Sequence, residues 1–214
     1  MMIKIKEERQ KELRIICVTK IQNRSFICFV NDNTFRLFKP QNDTFICSET
    51  FIGDNSAIRS IVELTSKNIV ASSSNGTFLI FSQDRKLSQI PGHKDGANCL
   101  IKMDKSHFAS GGEDNKIIIW EEKDKGFIER YTLTGHLFPV KILIYLKDGR
   151  IISGGDDSFV KIWVKNNKDT YECYMTLRGH NEGITGIVNV EDSTIISASA
   201  DKAIKMWLGY KSLI

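Results

Sequence analysis

An all-β fold assembled from repeated four-stranded units is what this sequence predicts, and three observations predict it. First, a Gly-His pair recurs at Gly92-His93, Gly135-His136 and Gly179-His180, and each histidine is followed 27 positions later by a tryptophan: Trp120, Trp163 and Trp207. Second, an aspartate (Asp114, Asp157, Asp201) stands six positions before each tryptophan, and a serine (Ser110, Ser153, Ser197) stands four before each aspartate. Third, the residues between these points fall into short apolar and β-branched runs parted by polar turns. In one unit the runs are "ANCLIKM", "SHFASGG", "KIIIW" and "GFIERYTL", and the turns "DKS", "EDN" and "EEKDK". No helical period of comparable length competes.

Four short strands per unit, with successive tryptophans 43 and 44 residues apart, is the pattern of β-propeller blades. Taken in order, the units run over residues 10–52, 53–91, 92–134, 135–178 and 179–214 of a single domain, with aromatic anchors Phe38, Phe81, Trp120, Trp163 and Trp207. The first two units are degenerate. In unit one Asp32 lies six before Phe38, Cys28 takes the serine position and the Gly-His slot falls on Gln10-Lys11. In unit two the slot reads Gly53-Asp54, Asn75 replaces the aspartate and Ala71 the serine. Sixteen strands run from unit one to "CYMTLR", and three more end at Trp207. Residues 1–9 offer a twentieth: "MIKIKEE" alternates apolar and charged residues and would close the ring against "AIKMW", with the tail "LGYKSLI" competing for that edge. The sequence thus predicts five four-stranded blades in either a closed five-bladed ring or an open, incomplete propeller, with residues 1–214 a short version of a larger protein. The degenerate early blades favour the open form. An open arc exposes two sheet faces and an edge, and so calls for self-association or for missing blades supplied by another chain.

Composition narrows the function classes. The 214 residues suffice for a substantial core, with 41% hydrophobic and 26% charged residues as in ordinary globular proteins. Thirty basic and 26 acidic residues leave a net charge of +4; they are interspersed, which disfavours a nucleic-acid footprint. Cys17, Cys28, Cys47, Cys99 and Cys173 are odd in number and form no C-x-x-C pair, so buried free thiols are expected. The start, "MMIKIKEERQKEL", lacks an apolar core of signal-peptide length, and runs such as "ILIYL" are too short to span a membrane. The expectation is an intracellular protein in a reducing compartment, cytoplasmic or nuclear.

The recurring His, Ser and Asp invite a catalytic-triad reading. A triad needs one activated nucleophile at one open site, whereas this trio occurs three times, each with a tryptophan in register. No catalytic residue is therefore assigned. The Gly-Gly pairs at 111–112 and 154–155 lack the lysine and helix start of a phosphate loop. No Cys/His set has zinc spacing, so neither metal nor cofactor is expected. His107, the histidine outside the repeat, reads as exposed and idle.

These residues resemble the WD40-repeat family, over nearly the whole chain. The tryptophans are followed by Glu121, Val164 and Leu208 rather than by the family's aspartate. The resemblance implies a hydrogen-bonded tetrad in each complete blade: His93, Ser110, Asp114 and Trp120; His136, Ser153, Asp157 and Trp163; His180, Ser197, Asp201 and Trp207. Phe38 and Phe81 carry no N–H donor, so packing must hold the first two blades. The resemblance also implies a non-enzymatic scaffold whose top face contacts proteins or peptides. Contact positions lie five after the histidine (Arg59, Asn98, Lys141, Thr185) and one before the aspartate (Ser74, Glu113, Asp156, Ala200). Leu137 and Phe138, apolar where other copies are polar, form a candidate anchor. A substrate receptor of a ubiquitin-ligase-type complex, and an enzyme or small-ligand binder built on a propeller, are the alternatives.

Overall fold

Strand after strand folds back on its predecessor because short polar turns separate each apolar run from the next. The computed structural model describes residues 14–21, 23–53, 55–82, 86–124, 126–190 and 194–209. Sheet one holds β1 (Ile15–Lys20), β2 (Phe26–Val30), β3 (Thr34–Gln41) and β4 (Thr44–Ile52). Sheet two holds β5 (Ile58–Glu63), β6 (Ile69–Ser73), β7 (Thr77–Phe81) and β8 (Leu87–Pro91). Sheet three holds β9 (Ala97–Lys102), β10 (His107–Gly112), β11 (Ile117–Lys123) and β12 (Gly126–Leu133). Sheet four holds β13 (Val140–Tyr145), β14 (Ile151–Gly155), β15 (Val160–Lys165) and β16 (Tyr171–Leu177). Sheet five holds β17 (Ile184–Val190), β18 (Thr194–Ser199) and β19 (Ile204–Leu208). Each is an antiparallel meander in chain order. The first strands of successive sheets contact one another, β1 with β5, β5 with β9, β9 with β13 and β13 with β17, so the sheets fan out from their inner strands as blades do.

The core sits between the sheets. Phe35 of sheet one packs with Ile58 and Ile61 of sheet two. Phe78 and Ile80 pack with Ala97 and Leu100, Ile117 and Ile119 with Val140 and Leu143, and Val160 and Ile162 with Ile184. Residue sizes match across these junctions. A Cβ on Gly111 would lie 2.6 Å from Val140 Cγ1, and one on Gly154 2.6 Å from Ile184 Cγ2. The first glycine of each pair thus makes room for the next blade's branched side chain, and the second, Gly112 or Gly155, for the histidine and aspartate of its own blade.

Two local devices repeat. The residue five before each anchor has a left-handed backbone: Asn33, Gly76, Asn115, Ser158 and Lys202, with φ between 65° and 89°. Asn and Gly suit that conformation; Ser158 and Lys202 are held in it by the turn around them. The second device is a bulge in the inner strand. Pairing passes over one residue at the same place in every sheet: Ile16, Arg59, Asn98, Lys141 and Thr185.

Among the described residues sheet five has three strands, and no sheet pairs with another. Over the described residues the five sheets form an arc that is not closed. The predicted closing strand at residues 1–9, and the tail from residue 210, lie outside the described residues.

Candidate partner-binding face

The face bearing the Gly-His loops is built on the tetrads. In sheet four the Trp163 indole N–H donates to Ser153 Oγ (2.8 Å), Ser153 lies 2.6 Å from His136 Nε2, and His136 Nδ1 is 2.8 Å from Asp157 Oδ2. The indole can only donate. A carboxylate can only accept, so Nδ1–H donates to Asp157; in the neutral imidazole Nε2 is then the acceptor and the serine donates to it, so the chain of bonds runs one way. Sheet three repeats it with Trp120 to Ser110 (2.8 Å), Ser110 to His93 (2.7 Å) and His93 to Asp114 (2.7 Å). Sheet five repeats it with Trp207 to Ser197 (2.8 Å), Ser197 to His180 (2.8 Å) and His180 to Asp201 (2.9 Å). The three serines and the histidine side chains are buried. None can reach a substrate, so the trios hold the scaffold together.

The aspartate has two roles that the sequence pattern does not separate. One is the tetrad. The other is to cap its own turn by accepting the backbone N–H two residues on: Lys116 to Asp114, Phe159 to Asp157, Ala203 to Asp201. In sheets one and two the capping role is kept, from Thr34 to Asp32 (3.1 Å) and from Thr77 to Asn75 (3.0 Å), and the anchors Phe38 and Phe81 have no indole N–H to begin a tetrad. Aromatic packing replaces the tetrad there. Phe38 stacks on Phe26 at 4.8 Å, and Phe81 packs edge-on to Phe35 at 4.6 Å. Amide hydrogen exchange is expected to be faster in β2 and β6 than in β10 and β14, because dispersion without a directional network lets a blade open locally. Equal protection in all four strands would refute this.

The carboxylates also fix the loops. Asp157 accepts the Leu137 N–H at 3.0 Å, Asn115 Nδ2 donates to the Leu137 carbonyl at 3.1 Å, and the Asp156 N–H donates to the Pro139 carbonyl at 2.9 Å. The backbone of residues 137–139 is thus pinned at three points, while the Leu137 and Phe138 side chains stand 66% and 58% exposed. The pair does not tuck against a neighbouring blade.

The inner-strand bulge coincides with the first set of expected contact positions. Passing over one residue re-aims its side chain, and in four sheets that residue is one of the predicted set: Arg59, Asn98, Lys141 or Thr185. The structure joins most of the set in one line. Arg59 bonds Asn98 and, at 2.7 Å, Glu113; Lys141 reaches Glu113 at 3.1 Å and Asp156 at 3.4 Å. Burial works against the charge on Glu113, but hydrogen bonds from Lys141 and Arg59 outweigh it and hold the carboxyl below its usual range. Lys141 and Asp156 then border a depression of about 450 Å³ with Glu182, Gly183, Thr185 and Ala200. The sequence reading missed this ladder and the fifth bulge residue, Ile16, which follows from strand register rather than from any motif.

Other expectations need correction. His107 is not idle: its Nδ1 lies 2.8 Å from Asp104 Oδ1. The cysteines are all free, but Cys47 and Cys173 are exposed, because outer strands show one face to water. Burial pushes the Cys17 thiol up to about 11 and that of Cys99 up to about 12, which keeps both protonated. Among the described residues no three His, Cys, Asp or Glu side chains converge to hold a metal ion, and no helix is long and apolar enough to cross a membrane.

Comparison with known proteins agrees with this geometry. The family WD40, described as "WD domain, G-beta repeat", matches residues 84–121, 128–164 and 171–207, just over half of the chain. The three matches begin just before, just inside and at the start of an outer strand, and each runs to the third strand of the next sheet. Two similar solved structures are titled "Structure of U3-55K" and "Crystal structure of WD40 beta propeller domain of Doa1". The first shares 17% identity at a TM-score of 0.76 and covers 94% of this chain and 62% of the other. The second shares 22% identity at a TM-score of 0.74 and covers 90% of this chain and 63% of the other. The chain thus spans less than two thirds of either. No curated protein matches it. With three matched repeats, three complete tetrads and an arc of antiparallel blades, the chain belongs to the WD40-repeat family.

Proposed function

We propose that the chain is a non-enzymatic scaffold that docks a partner protein or peptide on the face carrying the Gly-His loops. Propellers of this family are typically protein-interaction platforms. The observation that carries the finer reading is the exposed Leu137-Phe138 pair on a backbone pinned at three points. Aromatic anchors held rigidly before binding lose little entropy on docking. The adjoining ladder from Arg59 to Asp156 is ordered by its own ion pairs and supplies a polar rim. Reading of phosphorylated peptides is disfavoured, since Arg59 is already engaged by Glu113 and Asn98.

Phe138→Ala is expected to weaken partner capture by about 2 kcal/mol, roughly thirty-fold in Kd, with an unchanged melting temperature. The measurement is affinity purification with quantitative mass spectrometry, wild type against variant. An unchanged capture profile would overturn the proposal.

A further inference from the structure

A cavity of about 560 Å³ opens between sheets three and four, at the end opposite the Gly-His loops. It lies in the middle of the arc, with a further sheet on either side. The β9–β10 turn brings Asp104 to it, and the β13–β14 turn brings Asp148 and Arg150. Lys165 ends β15, Tyr171 begins β16 and Tyr145 ends β13. Both tyrosines rest on the core cluster that holds Trp163. The cations on the cavity wall are already engaged. The Arg150 side chain is sealed and gives Asp148 Oδ2 two bonds, at 3.0 and 2.6 Å. Lys165 lies 2.5 Å from Asp169. Asp104 differs. Its side chain is 52% exposed and meets the His107 ring at 2.8 Å and the N–H groups of Ser106 and His107.

The neighbouring side chains show what such a set holds. Tyr131 packs edge-on to Tyr171 at 5.7 Å. Over the Tyr131 ring stand Arg130 at 5.3 Å and Lys165 at 5.8 Å, and Asp169 pairs with both, at 3.5 and 2.5 Å. Ring, carboxylate and cation make one unit there. Around the cavity the ring and the carboxylate recur, as Tyr145, Tyr171 and Asp104. Among the described residues no cation stands over either of these two rings. We propose that the cavity receives an arginine side chain of a partner protein, its guanidinium set against Tyr145 and Tyr171 and paired with Asp104. A planar guanidinium can lie on a ring and still donate to a carboxylate. The local field suits it. Burial and the charge of Asp104 hold the Tyr145 hydroxyl above its ordinary value; Lys165 opposes this and Asp148 adds to it. Burial, the other two tyrosines, Asp104 and Asp169 push the Tyr171 hydroxyl up to about 12. An arriving cation therefore meets two protonated hydroxyls in an acidic field. This site lies at the other end of the blades from Phe138 and does not depend on that face.

The test is a titration of the full chain with the capped peptide Gly-Gly-Arg-Gly-Gly, followed by NMR in the ring signals of isotope-labelled tyrosine. A saturable shift at Tyr145 and Tyr171 is expected, and it is expected to persist in Phe138→Ala. The same peptide with citrulline for arginine keeps the shape and loses the charge, and is expected to bind about tenfold more weakly. Asp104→Asn keeps an acceptor for the Ser106 and His107 N–H groups and is expected to weaken the arginine peptide about fivefold. No saturable shift up to the peptide's solubility limit would overturn the proposal. So would a citrulline peptide that binds as tightly, a glutamate peptide that binds more tightly, or an Asp104→Asn protein with wild-type affinity. If that variant melts early, the citrulline comparison on wild type decides alone.

Discussion

Asp157→Ala is expected to lower stability by about 3–5 kcal/mol in urea denaturation, while its neighbour's replacement, Asp156→Ala, changes it by less than about 1 kcal/mol. The two aspartates are adjacent in sequence and opposite in circumstance. Asp157 is buried and accepts from His136, Leu137 and Phe159. Deleting its carboxylate leaves three donors without an acceptor, and each buried unsatisfied group is costly. Asp156 stands at the surface facing Lys141, where a screened ion pair contributes little. A similar loss for both variants would show that the tetrad is not what holds the blade.

The same carboxylate sets an acid limit. Burial opposes its charge, but the hydrogen bonds from His136, Leu137 and Phe159 outweigh this and hold it below the usual carboxylate range. Asp201 is held low as well, chiefly by the Asn181 N–H. A carboxyl depressed in the folded state contributes stability above its unfolded pKa, about 3.9 for aspartate. That contribution is lost as pH falls through the folded value. Wild type is therefore expected to lose stability below about pH 4, and Asp157→Asn to show a shallower dependence in the same range.

Trp163→Ala is expected to cost about 3–5 kcal/mol, again by urea denaturation. The indole is almost wholly buried in the cluster of Ala109, Ile117, Val140 and Ile151, and its removal leaves a cavity that strands on both sides cannot collapse to fill. Trp163→Phe separates packing from hydrogen bonding. It keeps a ring but deletes the donor to Ser153, and about 1–2 kcal/mol is expected. That variant reproduces in sheet four the condition natural to sheets one and two, where Phe38 and Phe81 are the anchors. Trp163→Phe as damaging as Trp163→Ala would show that the N–H bond, not the ring, dominates.

Some of this was legible in the residues alone. The tetrads were, because their four members lie in one blade and one repeat. Donor and acceptor chemistry leaves His136, Ser153, Asp157 and Trp163 few ways to bond. The roles of Asp32 and Asn75 as turn caps were hidden, since the pattern marks them only as failed tetrad members. Ser158 and Lys202 gave no sign of a left-handed backbone, which Asn115 and Gly76 at the same position do suggest. The Arg59 to Asp156 ladder was invisible as a unit, because Arg59 and Glu113 are 54 residues apart and the whole line forms only when three blades are placed side by side.

By itself the sequence determined the repeat, the strands and the tetrads. These depend on contacts within one blade, and every blade copies them. Only the tertiary structure decided which residues are buried between blades and which stand open. Val160 and Ile204 hold the same place in the repeat, and one is sealed while the other faces solvent. Burial between blades depends on what packs across the junction, and no repeat motif encodes that.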